Sequence, residues 1–131
     1  MIGIVIVSHS ARLAEGLKDL VEQATGQKVP IAAAGGTSDE SLGTSVDRIQ
    51  AAAQHLLNDP SVEGLLVLLD LGSAAMSAAM ALETLGRPFI LSNAPLVEGA
   101  VMAAVQASIG ADLDQVATAA LQAKDLDKLQ C

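Results

Sequence analysis

Ile2-Gly3-Ile4-Val5-Ile6-Val7 carries no polar side chain and runs directly into Ser8-His9-Ser10. A continuous, mostly β-branched run of this kind marks a strand buried on both faces, as in a parallel sheet covered by helices on either side. Leu13, Leu17, Leu20, Val21 and Ala24 follow at helical spacing, and Gly26 is placed to end that helix in a left-handed conformation. The same alternation continues outward. A weaker apolar segment at 29–33 leads to Gly35-Gly36-Thr37, and Val46, Ile49, Ala53, Leu56 and Leu57 mark a second helix, stopped by Asn58-Asp59-Pro60. Gly64-Leu65-Leu66-Val67-Leu68-Leu69 is a third strand, running into Asp70-Leu71-Gly72-Ser73 and an Ala/Met-rich helix that ends before Gly86-Arg87-Pro88. Residues 88–92 predict a fourth strand. Helices are predicted over 95–109 and from Asp112, as N-cap, to about residue 124.

Four strand–helix alternations predict an α/β fold: an open, doubly wound, mainly parallel four-stranded sheet with helices on both faces and right-handed crossovers. The order 2-1-3-4 is the common solution at this size and puts the switch point between strands 1 and 3. The length of 131 residues suits a single domain over 1–131.

Composition removes several function classes. Seven basic against fifteen acidic residues leave a net charge of -8, without the basic footprint that nucleic acid requires. One Phe and no Trp or Tyr leave no platform for base stacking. The apolar content is dominated by small side chains, with 24 Ala. The uncharged stretches 71–82 and 99–111 are shorter than the ~18–20 residues that span a bilayer. No basic segment precedes the first apolar run, so no signal peptide is expected. Cys131 is the only cysteine, which excludes an internal disulfide. These features predict a reduced, cytoplasmic protein with no membrane or nucleic-acid partner.

Ligands in such folds sit at the carboxyl ends of the strands, beside the switch point. Those ends carry Ser8-His9-Ser10, Gly35-Gly36-Thr37-Ser38, Asp70-Leu71-Gly72-Ser73 and Ser92-Asn93. His9 is the sharpest candidate: an imidazole between a buried strand and a helix start, where backbone N–H groups are free. Its alternative is a capping or strand-end histidine. Asp70 ends strand 3 as His9 follows strand 1; its alternative is an N-cap for the third helix. A His9–Asp70 contact of roughly 2.6–3.2 Å is expected. Ser10, Gly35, Gly36, Thr37, Gly72 and Ser73 offer the amides and hydroxyls that would surround a phosphoryl group. No nucleotide-binding glycine motif is present. No metal and no cofactor is expected. His55 reads as a surface helix residue, Met76 and Met80 as core or interface filler, and Arg12 as a phosphate contact, a partner contact or a solvated charge.

Gly-Ile-Val-Ile-Val-Ser-His-Ser at the start, Gly-Gly-Thr in mid-chain and Leu-Leu-Asp-Leu-Gly-Ser-Ala opening a helix resemble the mannose-type IIA domains of the bacterial phosphoenolpyruvate:sugar phosphotransferase system. Within that family the likeness is greater to the phosphocarrier subunits of phosphotransferase-dependent dihydroxyacetone kinases. The resemblance covers nearly the whole chain. It implies a phosphoryl group carried on His9, received from HPr and passed to ADP on a DhaL subunit. The ATP so formed phosphorylates dihydroxyacetone on a DhaK subunit. It implies that Asp70 partners the imidazole, that the protein is a homodimer, and that HPr and enzyme I act in trans. The third and fourth helices, rich in Ala, Met and Val, have more apolar surface than one face needs. No fifth strand is predicted, which favours the kinase branch over the sugar-transport branch. Other chemistries remain: a Ser73–His9–Asp70 hydrolase, although Gly72-Ser73-Ala74-Ala75 lacks a G-x-S-x-G elbow, and a sensor that is only phosphorylated.

Overall fold

The computed structural model describes residues 1–130; Cys131 lies outside the described residues. Strand β1 (Ile2–Ser8) is buried along its whole length. It is followed by α1 (Ala11–Thr25), β2 (Ile31–Gly35), α2 (Val46–Leu57), β3 (Gly64–Leu69), α3 (Ala74–Leu82), β4 (Phe89–Leu91), α4 (Leu96–Ser108) and α5 (Leu113–Gln122), with short 3₁₀ turns after α5. The sheet order is β2-β1-β3-β4 with every pair parallel, as predicted.

Successive residues of a strand face opposite sides of the sheet, so β1 supplies two cores. Ile2, Ile4 and Ile6 pack with Leu66 and Leu68 against α1, α4 and α5. Val5 and Val7 pack with Leu65 and Val67 against α2 and α3. Small side chains let the helices approach closely: Ala100, Ala103, Ala104 and Ala107 of α4 and Val116, Ala117 and Ala120 of α5 are buried. This explains how a chain with almost no aromatics closes a core.

Helix ends follow local chemistry. Gly26 caps α1 at φ 68°, a left-handed conformation that costs glycine little. Asp112 and Gln115 form a reciprocal capping box at the start of α5. Some boundaries differ from expectation. β2 begins two residues later than predicted and runs to Gly35, because Ala34 and Gly35 pair with Val7 and Ser8 whereas Val29 precedes the register. On α1 the buried stripe is Ala14, Leu17 and Val21, while Leu13 and Leu20 are exposed. Met76 and Met80 are 76% and 57% exposed, so they are not core residues.

Gly35 is where the fold is tightest. A Cβ there would lie 2.4 Å from the Ser10 carbonyl oxygen and 2.7 Å from Ala11 Cα, both backbone atoms that cannot turn aside. Gly72 has open space around the Cβ position. Gly35→Ala is therefore expected to cost about 1–3 kcal/mol through overpacking. Gly72→Ala should stay within about 0.5 kcal/mol of wild type. Urea unfolding of both variants checks the contrast.

Candidate functional site

The order of strands sets the site. β1 and β3 are neighbours, so the residues that leave their carboxyl ends, His9 and Asp70, meet although they are 61 positions apart. His9 Nδ1 lies 2.9 Å from Asp70 Oδ1, as expected, and the His9 backbone N–H donates to Asp70 Oδ2 at 2.9 Å. Two further donors complete the carboxylate: the Ser8 hydroxyl to Oδ2 at 3.0 Å and the Leu71 N–H to Oδ1 at 2.8 Å. Asp70 does not cap α3; Ser73 occupies that position. The capping alternative for Asp70 is thus replaced by a role as the acceptor for the end of β1.

Partial burial raises the Asp70 carboxyl pKa. The hydrogen bonds from the His9 backbone, the His9 ring and Ser8, with the charge interaction with His9, outweigh it. The result lies below the ordinary aspartate value of 3.8. The group is therefore ionised at neutral pH and can only accept. That assigns the proton of the neutral imidazole to Nδ1 and leaves Nε2 with a free lone pair. Ser73 Oγ lies 2.9 Å from Nε2, so in this network its hydroxyl donates to the ring. Ser73 can do so because its side chain makes no cap bond to α3. The His9 side chain is 26% exposed, its ring held at both nitrogens and open to approach.

The remaining predicted residues divide. Ser10 is the N-cap of α1, with Oγ accepting from the Leu13 N–H at 3.2 Å. A hydroxyl accepts and donates at once, so capping does not use its proton. Gly35 packs on the Ser10–Ala11 backbone, and the Gly36 N–H donates to the Ser8 carbonyl. These two glycines hold the start of α1 in place. Thr37 is turned into its own loop, where its hydroxyl bonds Asp39 and the Ser41 N–H donates to it. Gly72 is exposed in the turn before α3. The loop is nevertheless tied to the site, since the Gly43 N–H donates to the His9 carbonyl at 2.8 Å. Ser8 and Gly43 were not among the predicted site residues. A polar residue closing a wholly apolar strand was the one signal for Ser8. Arg12 and His55 are exposed; His55 lines a groove of about 370 Å³ with Lys18 and Arg48 rather than the His9 site. Beside Asp70 lies a small depression of about 170 Å³, reaching Ser92 and Asn93 at the end of β4.

Residues 3–117 match the EIIA-man family, described as the PTS system fructose IIA component. The chain belongs to this family. Among EIIA-man relatives, a protein from Providencia stuartii named PEP-dependent dihydroxyacetone kinase, phosphoryl donor subunit DhaM, is 42% identical over 95% of this chain. The chain spans 28% of that protein's length. A Listeria innocua protein named PEP-dependent dihydroxyacetone kinase 2, phosphoryl donor subunit DhaM, is 40% identical; 83% of this chain and 88% of the relative are covered. A crystallised protein of unknown function superposes with a TM-score of 0.79 at 35% identity, covering 92% of this chain and 93% of its own. A phosphotransferase system component EIIA from Streptococcus agalactiae shares the fold, with a TM-score of 0.70 at 21% identity over both full chains. No helix among the described residues of this EIIA-man chain is long and apolar enough to cross a membrane.

The depressed Asp70 pKa carries a stability consequence. A group bound more weakly by protons in the folded state contributes stability that is present above its unfolded value and lost as pH falls through the folded one. The Asp70 contribution is therefore complete above pH 3.8 and disappears below it. Asp70→Asn turns an amide nitrogen towards donors, and is expected to cost about 1–3 kcal/mol at pH 7. Urea unfolding at pH 7 and at pH 3 should show a smaller acid-induced loss in the variant than in wild type.

Proposed function

We propose that this chain is a phosphohistidine carrier: it accepts a phosphoryl group from phospho-HPr on His9 Nε2 and passes it to ADP held by a DhaL subunit, driving phosphorylation of dihydroxyacetone on DhaK. The observation that carries this is the aligned set Asp70 Oδ1–His9 Nδ1 and His9 Nε2–Ser73 Oγ, each 2.9 Å. The names of the relatives as dihydroxyacetone kinase phosphoryl donor subunits support the branch.

In the forward step the Nε2 lone pair attacks the phosphorus of phospho-HPr. The donor's N–P bond breaks as the new N–P bond forms, and the departing HPr imidazole keeps the electron pair. The Nδ1 proton stays in place, so the ring becomes cationic when the bond forms. The adjacent carboxylate stabilises that charge. The Ser73 hydroxyl leaves the lone pair and turns to a phosphoryl oxygen. Ser10 and the first amides of α1 supply further donors at a helix start. Transfer to the terminal phosphate of ADP reverses these changes and returns neutral imidazole. The net charge of -8 favours a basic patch on the partner. The exposed Met76 and Met80 offer apolar surface for the homodimer that belongs to the same proposal; sedimentation equilibrium at tens of micromolar decides between dimer and monomer.

One observation favours a second chemistry. Ser73, His9 and Asp70 are hydrogen-bonded in the order of a hydrolase triad. Against it, the N–H groups of Ala74 and Ala75 that follow Ser73 already donate to the Leu71 and Gly72 carbonyls at 3.1 and 3.0 Å. An oxyanion hole beside Ser73 would need such amides unpaired.

With phosphoenolpyruvate, enzyme I and HPr, mass spectrometry should show one acid-labile phosphate on the wild type and none on His9→Ala. Ser73→Ala should still be phosphorylated, about 10- to 100-fold more slowly, the value of one charge-assisted hydrogen bond. Adding DhaL and ADP should discharge the phosphate. Phosphate on His55, or labelling of Ser73 by a fluorophosphonate with no phosphate on His9, would overturn the carrier chemistry. Retention of phosphate in the presence of DhaL and ADP would overturn the kinase branch, leaving the sugar-transport branch or a domain that is only phosphorylated.

A further inference from the structure

We propose that Ser8 is a positioning residue for transfer at His9: its buried hydroxyl clamps one oxygen of Asp70 so that the other is held on His9 Nδ1. The clamp deepens the phosphohistidine reading and rests on it for its effect on rate.

Ser8 is fully buried at the end of β1, in register with Gly35 on β2. A buried hydroxyl costs free energy unless both its donor and acceptor capacities are used. Both are used here. Oγ accepts the Ser10 N–H at 3.0 Å and lies 3.0 Å from Asp70 Oδ2. An amide can only donate and an ionised carboxylate can only accept. The single hydroxyl proton of Ser8 is thereby directed at Asp70.

The aspartate needs this because its carboxylate rotates easily. The last torsion of an Asp side chain is broad, so packing at Cβ does not decide where each oxygen lies. Hydrogen bonds decide it. Ser8 O–H and His9 N–H both converge on Oδ2. Oδ1 then falls 2.9 Å from Nδ1 and within 2.8 Å of the Leu71 N–H. The same hydroxyl holds the Ser10 amide, so the start of α1 and the carboxylate are fixed to one atom. Without Ser8 Oγ, Oδ2 keeps only the His9 N–H, and the Ser10 N–H loses its acceptor. The carboxylate then keeps one backbone N–H on each oxygen, His9 on Oδ2 and Leu71 on Oδ1, but loses the hydroxyl donor that restrains its rotation, so the acceptor that keeps the imidazole proton on Nδ1 is held less firmly.

The test uses the full chain as wild type, Ser8→Ala and Ser8→Thr, the last restoring a hydroxyl. Long-range proton–nitrogen correlation spectra of the unphosphorylated proteins, at a pH where the ring is neutral, report which nitrogen carries the proton. Wild type and Ser8→Thr are expected to show Nδ1–H with a bare Nε2, and Ser8→Ala a ring exchanging between both tautomers. In single-turnover phosphorylation by phospho-HPr, Ser8→Ala should be about tenfold slower with unchanged final stoichiometry. Ser8→Thr should lie within about threefold of wild type. A folded Ser8→Ala with the wild-type tautomer and rate overturns the clamp, as does a folded Ser8→Thr as slow as Ser8→Ala. If Ser8→Ala does not fold, Ser8→Cys takes its place under the same two outcomes, because it keeps the size and weakens the donor. If wild type takes no phosphate on His9, the carrier chemistry fails while the tautomer measurement still decides the clamp.

Discussion

Four hydrogen bonds converge on the Asp70 carboxylate, and three of them come from the Ser8-His9 turn, on the strand beside its own. In the partly buried end of a sheet, an ionised carboxylate is stable only when its lone pairs are met. The same contacts that satisfy it orient the imidazole. Stability and chemistry at this point are therefore one interaction. The turn cannot relax without leaving a charge unpaired, and the ring cannot flip without losing its acceptor.

That junction exists because β1 is interior to the sheet. A strand with β2 on one side and β3 on the other must be apolar on both faces, and it has no solvent edge on which to shift register. Its end is accordingly a fixed platform. Gly35 adds to this from the other side by letting the α1 start press against β2 at backbone distance. The site is held by two neighbouring strands, while the mobile choices are left to Ser73, whose hydroxyl is engaged only with the ring. Its side chain is free to exchange the Nε2 lone pair for another acceptor without disturbing the helix it precedes.

The alanine-rich composition has a structural counterpart on the far face. α4 and α5 lie against β1 and β3 through Ala and Val side chains. Larger residues are displaced outward: Val105 of α4 and Ile109 after it are exposed, as are Met76 and Met80 of α3 on the other face and Leu71 beside Asp70. An acidic, small-residue protein thus packs its helices through alanine and leaves part of its larger apolar side chains at the surface.

Much of this was legible along the chain. The mostly β-branched run over residues 2–7 marked an interior strand, and polar residues following apolar strands at His9 and Asp70 marked the end where ligands gather. Gly26 and Asp112 announced their helix ends because capping depends on neighbours within a turn. What could not be read was everything that depends on direction across the sheet. Thr37 and Gly72 looked equivalent to Ser73 as phosphate contacts. Only the fold turns the Thr37 hydroxyl into its own loop and the Ser73 hydroxyl onto Nε2. The alanines of β2 are neutral between strand and loop, so its limits were set by pairing with Val7 and Ser8 rather than by composition. Periodicity along a chain reports which residues are buried. Which of two oxygens or two nitrogens faces a partner some sixty residues away is decided by strand register and by the hydrogen bonds it makes unavoidable, and here that choice turns Nδ1 to Asp70 and Nε2 to Ser73.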